Sequence, residues 1–171
     1  QQYCPTNPAV QDFYLELVDE IREVFPDLRS FHIGGDESRR LGICDRCREK
    51  VAAHGLGRLY GEHVGAICRR LLERGITPYV WADILEGAPD AVDYMPQGTV
   101  LVYWHYNLLE WNRKPAFDAL QSTGHKTITA SAARFSTHNH TMFLYSKAMR
   151  NISLLTRETA RQVAKAGYAV I

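Results

Sequence analysis

Val10, Phe13, Leu17, Ile21 and Val24 recur three and four residues apart, the spacing of one apolar stripe on an α-helix. Asn7 can cap that helix, Pro8 fits its first position and Pro26 closes it. The apolar run Ser30 to Ile33 leads straight into Gly34-Gly35 and reads as a buried strand ending in a sharp turn. Helical spacing returns with Leu59, Tyr60, His63, Val64, Ile67, Cys68 and Leu71, and ends at Gly75. Thr77 to Trp81 is strand-like. Beyond a turn-rich stretch, Thr99 to Trp104 is β-branched and aromatic, as a fully buried strand is. A short helix over Ala116 to Gln121, a strand over Lys126 to Ala130, and a helical region from about Phe143 to Ala166, broken near Asn151-Ile152-Ser153, complete the alternation. Gly167 to Ile171 reads as the start of a fifth strand.

Strands separated by helices predict a parallel sheet, because each right-handed crossover returns the chain in the same direction. An open doubly wound sheet and part of an eight-stranded (β/α) barrel both fit. Neither G-x-G-x-x-G nor G-x-x-x-x-G-K-[ST] occurs, so the phosphate loop of an open-sheet nucleotide binder is missing and the barrel gains. With no fixed-period repeat and no linker, residues 1–171 are expected to belong to a single domain.

Composition changes this picture little. The chain has 46% hydrophobic and 23% charged residues, which sets disorder aside. A net charge of +1 offers no field to attract a nucleic acid or an anionic membrane. No apolar run is long enough to span a bilayer. Four cysteines are too few for a disulfide scaffold, which points to a reducing compartment; a cytoplasmic setting is the expectation. A first residue other than Met suggests a piece of a longer protein.

The chemistry concentrates in Phe31-His32-Ile33-Gly34-Gly35-Asp36-Glu37. In a parallel α/β fold the C-terminal ends of the strands form the active-site face. Consecutive side chains on an extended strand point to opposite faces, so adjacent acids reach one pocket only where the backbone bends, and two glycines permit the bend. Two close carboxylates repel when ionised, which raises the proton affinity of one and suits it to donate a proton. A bare Asp-Glu pair after a strand is more commonly the first turn of the next helix.

The whole string resembles the H-x-G-G-D-E motif of glycoside hydrolase family 20, the β-N-acetylhexosaminidases, and the order of elements is similar to that family's barrel from its fourth strand to the start of its eighth. The resemblance implies an α/β fold, a partial (β/α)8 barrel. It implies a retaining exo-β-N-acetylhexosaminidase that removes terminal N-acetylglucosamine or N-acetylgalactosamine. Glu37 matches the general acid/base, and Asp36 the group that orients the substrate's 2-acetamido group, which attacks in place of an enzyme nucleophile. His32 matches the motif's histidine. Trp81 and Trp104 fall where the family places aromatic walls around the N-acetyl group and the sugar. Asp83 and Tyr106 follow each Trp by two residues, so on a continuing strand they would share its face and bond sugar hydroxyls. The partner implied is an N-acetylhexosamine-containing glycoside, with no cofactor, no metal, no nucleic acid and no membrane.

Many family members carry a Tyr-x-Asp where this chain has Thr129-Ala130-Ser131-Ala132-Ala133-Arg134-Phe135. The Ala-Ser-Ala run is closer to the hexosaminidase D-like branch, a largely intracellular group, and the missing tyrosine's work would fall to Tyr106. Only about five of eight strands are covered, so the piece alone is expected to be inactive and to associate through its open sheet edges. Two other readings compete: a metal-dependent hydrolase using His32, Asp36 and Glu37 as ligands, and a sugar-binding domain without catalysis.

Cys44-Asp45-Arg46-Cys47 is a C-x-x-C without a second ligand pair; Cys4 and His54 are the residues that could complete a zinc site. Reduced, unliganded thiols are the expectation, and a thioredoxin-like redox motif is disfavoured by its position. His138 and His140 sit in a polar loop and read as solvent-facing.

Overall fold

The computed structural model describes residues 3–106, 114–131 and 145–165, without the side chains of 114, 145–148 and 162–165. Residues 1–100 and 101–171 form two compact units. Among the described residues four strands lie in one sheet in chain order. The fifth expected strand, at 167–171, lies outside the described residues.

The first unit opens with α1 (Pro8–Val24), whose Asn7 side chain accepts from the Ala9 N–H at 3.2 Å. The expected apolar stripe does not face the core. Phe13 is 60% exposed and Val24 71%, whereas Leu15 and Val18 are fully buried against Ile67, Leu71 and Ile76. At about 100° per residue the two faces are neighbours on the helix, so α1 is apolar around much of its girth. Periodicity finds the apolar arc but not the part of it that docks.

β1 (Ser30–His32) is short and half-exposed rather than buried, because it is the edge strand of the described sheet. It runs parallel to β2 (Thr77–Trp81) with Ser30 opposite Thr77 and His32 opposite Tyr79. Between them lie α2 (Asp45–His54) and α3 (Leu56–Glu73). Lys50 of α2 pairs with Glu62 of α3 at 2.6 Å. After β2 come α4 (Ile84–Gly87) and a 3₁₀ helix (Pro89–Tyr94).

That 3₁₀ helix packs on a groove made by Gly57, Gly61 and Gly65, four residues apart on one face of α3. A Cβ on Gly61 would stand 2.3 Å from the Ala91 carbonyl oxygen, and one on Gly65 2.2 Å from that of Tyr94. Alanine in a helix is favoured over glycine by about 1 kcal/mol. Backbone cannot yield like a side-chain tip, so Gly61→Ala is expected to destabilise the complete protein by about 1–3 kcal/mol. Urea unfolding measures this against Gly87→Ala, where no described atom lies within 4 Å of the added carbon.

β3 (Val100–Trp104), all but its first residue in the second unit, is buried along its first four residues, with Tyr103 and Phe117 of α5 (Lys114–Ser122) in ring contact at 5.0 Å. β4 (Lys126–Ala130) packs with α6 (Tyr145–Lys165), which runs unbroken through Asn151. The expected break fails because Asn151 is fully buried and its side-chain N–H donates to the His105 carbonyl at 2.5 Å. A polar residue that would weaken an exposed helix is here satisfied by the strand end it supports.

Candidate active site

The parallel ladder continues past the last residues of β1: Ile33 N–H donates to Tyr79 O at 2.8 Å, and Trp81 N–H to Gly34 O at 3.0 Å. The chain then turns sharply, with φ +77° at Gly34, +94° at Gly35 and +48° at Glu37. The first two values suit glycine. The third is a left-handed conformation of order 1 kcal/mol or more for a side-chain-bearing residue, and such strain persists only where surroundings fix it. Here they do. The Glu37 N–H donates to Asp83 Oδ2 at 2.9 Å, and Tyr60 Oη–H donates to Gly35 O at 3.1 Å from beneath the bend. Burial pushes the Tyr60 phenol's pKa up, with Asp83 adding to the effect, so the hydroxyl stays a donor.

His32 stacks on Trp81 with ring centroids 4.4 Å apart. Its Nδ1 accepts the Gly34 N–H at 3.0 Å, which leaves the proton on Nε2. Partial burial holds the His32 pKa below the usual histidine value, against the opposing pull of Asp36. The imidazole is therefore a neutral donor facing outward. Asp36 and Glu37 are both exposed, and Glu37 Oε1 accepts from Arg39 at 2.8 Å.

Asp83 does not sit on a continuing strand. β2 ends at Trp81, and Asp83 has helical angles at the entry to α4. It joins the bend through the Glu37 backbone instead, because the chain curls back after β2. Tyr60 was legible only as a core position of α3; a buried phenol needs a partner, and that rule was the one available sign of its hydrogen bond.

In the second unit β3 likewise ends at Trp104, and Tyr106 lies beyond it with its ring 5.2 Å from that of Trp104, tilted by 33°. Residues 132–135, part of the stretch that lacks the family's tyrosine, lie outside the described residues, as do His138 and His140.

A family model described as glycosyl hydrolase family 20, catalytic domain, matches residues 1–171. The chain belongs to glycosyl hydrolase family 20. It is 30% identical over 97 residues to hexosaminidase D of Homo sapiens, covering 53% of this chain and 20% of that protein. It is 32% identical over 96 residues to a beta-hexosaminidase of Porphyromonas gingivalis, covering 52% of this chain and 12% of that protein. The chain therefore spans a fifth or less of these relatives. The crystal structure of beta-N-acetylhexosaminidase from Bacteroides fragilis matches with a TM-score of 0.60 at 21% identity, over 85% of this chain and 29% of that one. That likeness is one of fold, and it makes the parallel α/β arrangement part of the family's (β/α)8 barrel.

Among the described residues, the His, Cys, Asp and Glu side chains that gather closely enough to hold a metal ion are Cys4, Cys44 and Cys47; His32, Asp36 and Glu37 form no such group. Hydrogen bonding with Thr6 lowers the Cys4 thiol to about 7, and burial raises Cys47 to about 11. Among the described residues no helix is long and apolar enough to cross a membrane.

Proposed function

We propose that the complete protein is a retaining exo-β-N-acetylhexosaminidase that takes terminal N-acetylglucosamine or N-acetylgalactosamine from a glycoside, using the substrate's own 2-acetamido group as nucleophile. The observation that supports this reading is the strained Gly34–Glu37 bend, tied to Asp83 and Tyr60, in which two acids follow directly on the strand end that carries the His32–Trp81 stack. Its setting is a reducing, cytoplasmic compartment, which suits cysteines that form no disulfide.

Glu37 protonates the departing glycosidic oxygen while the acetamido oxygen attacks the anomeric carbon, closing an oxazolinium ring. Asp36 holds the acetamido N–H and balances the positive charge that develops there. A water molecule then opens the ring as Glu37 takes its proton, and two inversions retain the configuration. Trp81 and Trp104 each take the part of an aromatic wall for the sugar or its N-acetyl group, since indole packs on sugar C–H faces and excludes water from the charged intermediate. His32 supports the acids with its Nε2–H. Asp83 positions Glu37 through the backbone, and Tyr106, stacked beside Trp104, is left as the candidate partner of a sugar hydroxyl. The Arg39 ion pair on Glu37 is solvent-exposed on both sides and is given up at little cost when the glycosidic oxygen arrives.

The test compares a chromogenic β-N-acetylglucosaminide with the corresponding β-glucoside, which carries a hydroxyl in place of the acetamido group. The complete protein should hydrolyse the first, release the β-anomer first and leave the second essentially untouched. Comparable rates on both would remove the acetamido group from the mechanism, and turnover of neither would leave a sugar-binding domain.

A further inference from the structure

The inference that goes beyond the glycosidase reading concerns the three cysteines that the acidic bend does not use. Cys4 lies in the turn before α1, closed by the Asn7 N–H to Cys4 O bond at 3.0 Å. Cys44 caps α2 with no side-chain hydrogen bond to the helix, and Cys47 is buried on the same first turn. Although forty positions separate them in the chain, Cys4 Sγ stands 3.4 Å from both Cys44 Sγ and Cys47 Sγ. All three sulfurs lie within 4.8 Å of one another.

Zinc–thiolate bonds of about 2.3 Å at tetrahedral angles put sulfurs about 3.8 Å apart, so this triangle is close to one face of a ZnS₃ tetrahedron. A disulfide explains the arrangement less well. It would use two sulfurs and leave the third beside it, and Cys4 is equidistant from both members of the C-x-x-C. A metal uses all three. The three cysteines, with Tyr3, Arg40 and Gly42, line a cavity of about 310 Å³, which has room for a water as the fourth ligand. His54, the other ligand suggested by the sequence, sits at the far end of α2, roughly 15 Å along the helix from Cys44 at 1.5 Å per residue.

We propose that Cys4, Cys44 and Cys47 bind a zinc ion whose fourth ligand is water. The ion ties the segment before α1 to the start of α2. The chain from Gly35 to Cys44 is thereby anchored at both ends, by Tyr60 at the acidic bend and by the metal at the helix cap. This replaces the expectation of unliganded cysteines, and it stands whether or not the acids cleave glycosides.

The complete protein, purified under reducing conditions, should carry one equivalent of zinc by elemental analysis. Cobalt substitution should give the sulfur-to-metal charge-transfer bands of three thiolates, and chelation should make three further thiols reactive toward a disulfide reagent. Cys4→Ser should lower metal occupancy severalfold, while Cys68→Ser, in the core of α3, should leave it unchanged. If Cys4→Ser does not fold, the cobalt spectrum and thiol count of the unaltered protein decide. No stoichiometric metal at micromolar free zinc, a spectrum indicating two thiolates, metal retained in a folded Cys4→Ser protein, or a disulfide among the three cysteines by mass spectrometry would each overturn the proposal.

Discussion

Glu37→Gln in the complete protein should lower kcat/KM for an N-acetylglucosaminide with an alkyl leaving group by about 10²–10⁴, the usual contribution of a positioned general acid. That is about 3–5 kcal/mol of transition-state stabilisation. Glutamine matches glutamate in shape and the ion pair it gives up with Arg39 is exposed, so the unfolding free energy should change by less than about 0.5 kcal/mol. The deficit should shrink for a nitrophenyl leaving group, which departs without much protonation. Asp36→Asn should instead reduce turnover by a similar factor for both leaving groups, because its role is on the acetamido side. Steady-state kinetics of the two variants on the two substrates separate these roles. Equal deficits in Glu37→Gln on both substrates, or full activity of that variant, would take the acid role from Glu37, and full activity of Asp36→Asn would take the acetamido role from Asp36.

The strands and the acidic string were legible because their signals are local: β-branched runs, and two glycines before two acids. What escaped depends on tertiary approach. Half of the residues of α2 are charged and it buries only Cys47 fully, so it shows no apolar period to read. The docking face of α1 lies beside the stripe that periodicity finds, and nothing in the helix's own sequence ranks the two. Asn151 looks like a breaker until the His105 carbonyl is found waiting for it. Asp83 was expected at the site from a strand that in fact stops at Trp81; it arrives there by the turn into α4. The cysteines lie between the two cases: the C-x-x-C and the candidates Cys4 and His54 are visible in sequence, but only the fold brings Cys4 to the pair and leaves His54 at the far end of α2.

Gly35→Ala should be the most damaging single substitution at the bend. At φ +94° any Cβ is strained, and this one would stand 2.5 Å from Tyr60 Oη, the atom that donates to the Gly35 carbonyl. Backbone strain of about 1–2 kcal/mol adds to about 1–3 kcal/mol for displacing a buried hydrogen-bonded hydroxyl, so a loss of about 2–5 kcal/mol is expected. Activity should fall further than stability, because a 1 Å shift of a reacting group can cost about 10² in rate. Tyr60→Phe alone removes one hydrogen bond, about 1 kcal/mol, and also the atom in collision. Gly35→Ala should therefore be milder in the Tyr60→Phe background than in the unaltered protein, with a coupling of at least about 1 kcal/mol in the double-mutant cycle. Strict additivity would mean that Tyr60 does not support the bend. The strain at Glu37 would then be held by the Asp83 carboxylate without help from below.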